Sequence, residues 1–279
     1  MSKKIKCPLC NSKRFRLLYD LSSKSFEIYK IVKCKTCDLV FRNPQPAEQE
    51  INKFYTKEYY LGTTDYTYRD ERNDQRLLIK YSEKVESFRK IKKGGRLLDI
   101  GCAFGMFLKA ASKYYNCYGV EISQYASDYA KAQGLNVFNG TVERARYPDN
   151  YFDIVNMVEI IEHLSDPKQT LSEIHRILKP DGILIIKTSN IESLYAKSKG
   201  GDWDYILPGH LCYFSIKTLS KILALVGFQT INITKKMNVK ELIKNFGIQS
   251  YIMPLLLKLN QVYLANLLIR GMTFFAKKR

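Results

Sequence analysis

A chain of 279 residues, 46% apolar and 26% charged, has the composition of an ordinary globular protein and is long enough to bury a sizeable core, as one large domain or a large one with a small companion. The start, MSKKIKCPLC, lacks the apolar stretch of a secretion signal. No run reaches the ~20 apolar residues of a membrane helix, since the best candidate, 253–275, is broken by Lys258, Asn260, Gln261, Asn266 and Arg270; a cytoplasmic location is expected. The net charge of +18 is unevenly spread: residues 1–95 carry 22 basic against 12 acidic side chains, 96–238 carry 16 against 14, and 239–279 carry 7 against 1. A nearly neutral centre therefore lies between basic flanks, which suit an anionic partner such as a phosphorylated substrate, RNA or a membrane surface, or serve solubility alone.

The first 45 residues are organised around Cys7-x-x-Cys10 and Cys34-x-x-Cys37, two pairs separated by 23 residues. Each pair forms a tight knuckle with two thiolates aimed at one metal, and a strand pair within 15–32 would bring the knuckles together. The expectation is a zinc ribbon over 1–45 with Cys7, Cys10, Cys34 and Cys37 as ligands to Zn2+. Disulfides are the alternative, disfavoured where thiols stay reduced. Cys102, Cys117 and Cys212 are unpaired by spacing and read as small buried hydrophobes. Residues 46–95 form a linker and N-terminal helical segment. Pro44 and Pro46 begin it, Tyr55, Tyr59, Tyr60, Tyr66 and Tyr68 follow, and 70–91 reads as an amphipathic helix with Leu77, Leu78, Tyr81, Val85 and Phe88 on one face.

From residue 96 strands and helices alternate. Strands are expected at 96–100, 117–121, 136–138, 152–157, 182–188, 228–234 and 271–277, and helices at 105–114, 123–133, 167–178 and 216–226. Asp166 before Pro167 and Ser215 before the last helix are N-cap signals, and Gly227 is a stop. Alternation of this kind implies an α/β fold with a mostly parallel sheet covered by helices on both faces. The first strand ends in RLLDIGCAFG, residues 96–105. A dinucleotide site needs Gly-x-Gly-x-x-Gly so that pyrophosphate can reach a helix N-terminus. Here only Gly101 and Gly105 are present, and Asp99 at the strand end would repel pyrophosphate. It suits a ligand with an ammonium and a sulfonium, and S-adenosylmethionine (SAM) is such a ligand. Glu121, at the end of the second strand, can accept both ribose hydroxyls of an adenosine.

With these residues the chain resembles the class I SAM-dependent methyltransferases, and more narrowly a subgroup with an N-terminal zinc ribbon that acts on sugars and cell-surface polysaccharides. DIGCAFG is similar to the family's first motif, with Ala103 in place of a middle glycine. FDIVNMVEIIEHL, ending at Leu164, resembles the fourth strand and its turn. LKPDG from Leu178 to Gly182 resembles the loop before the fifth strand, and GHLCYF from Gly209 to Phe214 the sugar subgroup. The resemblance covers roughly residues 70–279. It implies a Rossmann-like seven-stranded sheet with the last strand antiparallel, a methyltransferase domain over 96–279, and a helical insertion at 239–268 that closes over the substrate or lies on a membrane surface. It implies a cofactor site of Asp99, Gly101, Ala103, Gly105, Glu121, Thr141, Val142 and Val158. His163 and His210 are the candidate catalytic residues, His210 the better placed. In related sugar C-methyltransferases a Glu-His pair stands where this chain has Gly209-His210. His175 reads as a surface residue of a helix; Trp203, Tyr59 and Tyr60 are candidates for lining the site or for packing. The expected function is methyl transfer to a small anionic acceptor, a sugar nucleotide or surface-glycan precursor. The alternatives are an rRNA methyltransferase gripping RNA through ribbon and basic flanks, and a non-catalytic binding protein. Partners are accordingly the small substrate, RNA, or a peripheral membrane contact through 239–279 at the inner face.

Overall fold

The computed structural model describes residues 5–22, 30–47, 50–51, 53–63, 70–72, 74–236 and 271–279. Tyr66, Tyr68 and the leucine-rich stretch 239–268 lie outside the described residues.

Two sheets organise the chain. The small one begins with β1 (Phe15–Asp20), β2 (Lys30–Cys34) and β3 (Val40–Arg42), all antiparallel. Its fourth strand comes from far along the chain: β9 (Cys212–Tyr213) pairs with β3, Val40 opposite Tyr213 and Phe41 opposite Cys212. The large sheet has seven strands: β4 (Arg96–Ile100), β5 (Asn116–Glu121), β6 (Val137–Asn139), β7 (Phe152–Val158), β8 (Leu178–Ser189), β10 (Phe228–Lys236) and β11 (Gly271–Lys278). Their order is β10-β11-β8-β7-β4-β5-β6. The five strands from β8 to β6 run parallel, and β11 is antiparallel to both its neighbours.

The side-chain period of two sorts the strand residues onto two faces. Leu98, Ile100, Val155, Met157, Leu184 and Ile186 meet α5 (Pro167–Ile177) and α7 (Ile216–Leu225) through Leu171, Ile174, Ile177, Leu219, Ile222 and Leu223. Leu97, Ile154, Ile183 and Ile185 meet α2 (Gln75–Arg89) and α3 (Met106–Ala111) through Val85, Phe88, Phe107, Leu108 and Ala111. Each such side chain contributes about 1.5–3 kcal/mol by burial. The cysteine-bearing segment is part of the first core, because Cys7, Leu9, Cys34, Cys37 and Phe41 pack with Phe214 and Leu219.

Local signals set the helix ends. Asp74 accepts from the backbone N–H groups of Arg76 and Leu77, so α2 starts at Gln75 rather than at 70. Ser123 caps α4 (Gln124–Ala132), Asp166 precedes Pro167 in α5, Ser193 caps α6 (Leu194–Lys199), and Ser215 and Thr218 form a capping box on α7. β8 extends back to Leu178, so the LKPDG segment lies within a strand and not before one. A short α1 (Lys57–Leu61), capped by Thr56 and ended by left-handed Gly62, sets Tyr59 and Tyr60 beside the carboxyl ends of the parallel strands.

Candidate active site

The carboxyl ends of β4, β5, β6, β7 and β8 open into a cleft of about 2280 Å³. Such a position is where ligands bind in open parallel sheets.

The turn after β4 is pinned to β5, because the N–H groups of Gly101 and Cys102 both donate to the Val120 carbonyl, at 2.8 and 3.2 Å. Gly101, Ala103 and Gly105 all have positive φ, at 73°, 46° and 78°. The left-handed φ favours glycine at 101, and a Cβ there would stand 2.1 Å from Ile160 Cδ1 and push that side chain aside. Ala103 holds the same left-handed conformation with a methyl group, at a cost of about 1–2 kcal/mol. Its N–H donates to Glu121 Oε2 at 2.9 Å. Gly105 does not line the cleft. It is the N-cap of α3 and faces the end of α4, where a Cβ would come within 3.3 Å of Ala130 Cβ and 2.3 Å of Leu135 Cδ1 just beyond the helix.

Asp99 lies at the cleft floor, 5% exposed, and accepts from Asn156 Nδ2 at 2.5 Å. Burial raises its pKa to about 6, while the positive charge of Lys84 and the Asn156 bond pull the other way. Asn156 Oδ1 is buried with no hydrogen-bond partner among the described residues. Asp99 and this orphaned carbonyl oxygen together suit an ammonium group. Glu121 ends β5, and its carboxylate accepts from the N–H groups of Ala103 and Ser123 and from the Tyr60 hydroxyl at 3.0 Å. Burial raises its pKa and these donors lower it. Three of its roughly four lone-pair sites are thus filled, one of them by a hydroxyl that a ribose could replace. Thr141 and Val142, after β6, and Val158, at the end of β7, complete the wall. The donor set fits SAM.

The same cleft is lined by two histidines. His163 ends a single 3-10 turn, Ile161–His163, and His210 follows Pro208-Gly209 in the loop before β9. Their rings meet edge to face with centroids 4.5 Å apart. His210 Nδ1 donates to the Tyr205 carbonyl at 2.7 Å, and His163 Nδ1 is 3.0 Å from the Gly209 carbonyl and 2.7 Å from the Tyr55 hydroxyl. Burial pushes the His163 pKa down to about 4 and that of His210 well below the usual histidine value, so both rings are neutral. The cysteine-bearing segment holds this loop. Arg42, 1% exposed, donates its backbone N–H to the Leu211 carbonyl at 2.9 Å and its guanidinium to that of Pro208 at 2.8 Å, one on each side of His210.

Sequence reasoning did not single out Glu159, Glu162 or Tyr205. The Tyr205 hydroxyl donates to both carboxylates, Glu162 also accepts from Thr188 Oγ1 at 3.0 Å, and Glu159 pairs with Lys187 at 2.8 Å. The Glu-x-x-Glu-His spacing around a single turn was the available signal. Asn156 and Tyr55 carried no signal, since their roles rest on partners in distant segments. Trp203 is buried with Leu21, Ile31 and Tyr213, away from the cleft. His175 packs against Phe228 at 5.1 Å, also outside it. Tyr59 and Tyr60 line the cleft.

The four cysteines come together as expected of their spacing. Cys7 Sγ lies 3.4 Å from Cys37 Sγ and Cys10 Sγ 3.6 Å from Cys34 Sγ, and all four sulfurs are within 4.8 Å of one another. Each knuckle ends on a left-handed residue, Asn11 (φ 57°) and Asp38 (φ 68°), which turns the chain back under the sulfurs.

Comparison with known proteins agrees with this geometry. Residues 70–233 match the model of the methyltransferase domain family. An uncharacterized methyltransferase of Schizosaccharomyces pombe is 32% identical over 133 residues, 42% of this chain and 48% of that protein. A ubiquinone biosynthesis O-methyltransferase of Coxiella burnetii is 30% identical over 105 residues, 35% of this chain and 45% of that one. The chain spans about half the length of such curated relatives. The crystal structure of a SAM-dependent methyltransferase from Archaeoglobus fulgidus superposes with a TM-score of 0.54 at 25% identity, covering 74% of this chain and all of that one. With a matching domain over more than half its length and the fold to go with it, the chain belongs to the methyltransferase domain family and has the fold of the class I SAM-dependent methyltransferases.

Proposed function

We propose that this methyltransferase acts in the cytoplasm on a small anionic acceptor, a sugar nucleotide or surface-glycan precursor, and that Cys7, Cys10, Cys34 and Cys37 hold a structural Zn2+. The observation that carries the acceptor reading is the pair of neutral imidazoles, His163 and His210, in the cleft that Glu121 also lines. They are flanked by Tyr55 and Tyr205, and exposed Lys53, Lys80 and Arg144 stand at the cleft's edge. Aromatic and imidazole edges suit a polyhydroxylated ring, and the cations suit its phosphates.

When bound, SAM supplies a methyl group already activated by its sulfonium. The chain's contribution is alignment and proton handling. Asp99 and Asn156 Oδ1 would hold the ammonium, Glu121 would take the ribose hydroxyls, and Thr141, Val142 and Val158 would flank the adenosine. His210, whose Nδ1 proton is fixed on the Tyr205 carbonyl, keeps its Nε2 lone pair for handling the acceptor's proton, directly or through a bound group.

Tetrahedral Zn–S bonds of about 2.3 Å place sulfurs about 3.8 Å apart, close to the separations here, and four thiolates leave no open position for catalysis. No helix of the described residues is long and apolar enough to cross a membrane. Transfer of tritiated methyl from SAM into host extract, separated into small metabolites and RNA, tests the acceptor. Label in the nucleotide-sugar pool supports the proposal. Label confined to RNA overturns it and makes the basic flanks the RNA grip. SAM binding with no transfer to either would favour a binding protein.

A further inference from the structure

We propose that Glu162, His163 and His210, with Glu159 beside them, form a second metal site, one that takes a first-row divalent cation and presents it to a hydroxyl of the acceptor. The proposal rests on the reading of this part of the cleft as the acceptor site. It narrows the acceptor to one methylated on oxygen.

The geometry is that of a ligand set. One donor atom from each of Glu162, His163 and His210 lies within 4.8 Å of the other two, and all three residues line the cleft. Ligands around a first-row cation at about 2.0–2.2 Å lie roughly 3–4.4 Å apart, so a closure of under about 1 Å completes the site. The imidazoles are already oriented. His210 Nδ1 donates to the Tyr205 carbonyl and His163 Nδ1 faces the Gly209 carbonyl, so each Nε2 keeps its lone pair. An Nδ1–H on a backbone carbonyl is how metal-bound histidines are commonly fixed. Glu162 accepts from Tyr205 on one oxygen and from Thr188 on the other, two donors on a carboxylate with roughly four lone-pair sites.

Two further observations point the same way. Glu159 and Glu162 converge on one hydroxyl donor, that of Tyr205, so two carboxylates meet at a single proton source. A dication between them would serve both. Glu159 also sits at φ 54°, a left-handed conformation that costs a non-glycine residue about 1–3 kcal/mol and is retained mainly at functional sites. Two imidazoles with one or two carboxylates suit Mn2+, Fe2+, Co2+ or Zn2+ and leave positions open, unlike the closed sulfur set of the four cysteines. A cation here and direct proton acceptance by His210 are alternatives for the same Nε2 lone pair.

The test uses full-length protein with its cysteine site loaded with zinc. Mn2+ alone is titrated by electron paramagnetic resonance, with SAM affinity measured in parallel as a check of fold. One Mn2+ per chain is expected, weakened at least about tenfold in His163→Ala and His210→Ala proteins that still bind SAM. Co2+ added to the same wild-type protein is expected to give visible d–d bands with no thiolate charge-transfer band. Absence of Mn2+ binding below about 1 mM in SAM-competent wild-type protein overturns the proposal while leaving the methyltransferase reading intact. So does binding that both variants retain, or a thiolate band showing that Co2+ goes only to the cysteines.

Discussion

Replacing Asp99 with asparagine separates what this residue costs the fold from what it gives the cofactor site. Asp99 is 5% exposed, and burial raises its pKa to about 6 against about 3.9 for an exposed aspartate. The folded state therefore holds the proton more tightly than the unfolded one. The stabilisation is fully present below pH ~4 and is lost as pH rises through about 6. A difference of about two in pKa, at about 1.4 kcal/mol each, means that the ionised carboxylate costs about 3 kcal/mol at pH 7 and about 1.5 kcal/mol at pH 5. The amide is isosteric, and its oxygen still accepts from Asn156 Nδ2. The Asp99→Asn protein should accordingly be more stable than wild type by up to about 3 kcal/mol at pH 7, with the advantage roughly halved at pH 5. Losing a charge-assisted bond to an ammonium costs about 1.5–3 kcal/mol, so SAM affinity should fall about 10- to 100-fold. Urea unfolding at the two pH values and calorimetric titration of SAM read both quantities. A variant no more stable at pH 7 refutes the burial reasoning, and unchanged SAM affinity refutes the ammonium assignment.

Other perturbations address other parts of the molecule. His210→Asn keeps a donor for the Tyr205 carbonyl but loses Nε2. Turnover should fall about 10²- to 10⁴-fold with SAM affinity unchanged, and turnover within twofold of wild type would remove His210 from the acceptor chemistry. Gly105→Ala forces a methyl toward Leu135 at φ 78°, and a loss of about 2 kcal/mol in chemical denaturation is expected; a loss under about 0.5 kcal/mol would mean that neither the left-handed backbone nor the Leu135 contact demands glycine. Stripping zinc with a chelator should lower the melting temperature by about 10 °C, because Cys7, Cys34 and Cys37 pack in the same core as Phe41 and Phe214. An unchanged melting temperature would contradict a structural metal.

Much of the fold was readable because its signals are local. Strand and helix periodicities, the Asp166-Pro167 and Ser215 caps and the alternation of elements depend on neighbours in sequence, and the seven large-sheet strands fall within a few residues of expectation. The first turn was readable for the same reason, since Gly101, Ala103 and Gly105 lie within one loop. What could not be read depends on long-range contact. Nothing near Cys212 announces that it pairs with Phe41, yet that pairing places the His210 loop. The partner of Asp99 is Asn156, 57 positions on, and that of Glu121 is Tyr60, 61 positions back. Gly105 matched a motif, but its glycine is required by its left-handed backbone and by Leu135 just past α4, and not by the cleft. Boundaries moved where a side chain competed with the pattern, as when Asp74 capped α2 and shortened the expected helix.

The account stands most directly on where the adenosine sits, and a crystal structure with S-adenosylhomocysteine measures it. The expected result is both ribose hydroxyls within about 2.6–3.2 Å of the Glu121 carboxylate, with the Tyr60 hydroxyl displaced, and the amino group between Asp99 and Asn156 Oδ1. A ligand bound elsewhere, or one that leaves Tyr60 on Glu121 and Asn156 Oδ1 unpaired, would contradict it.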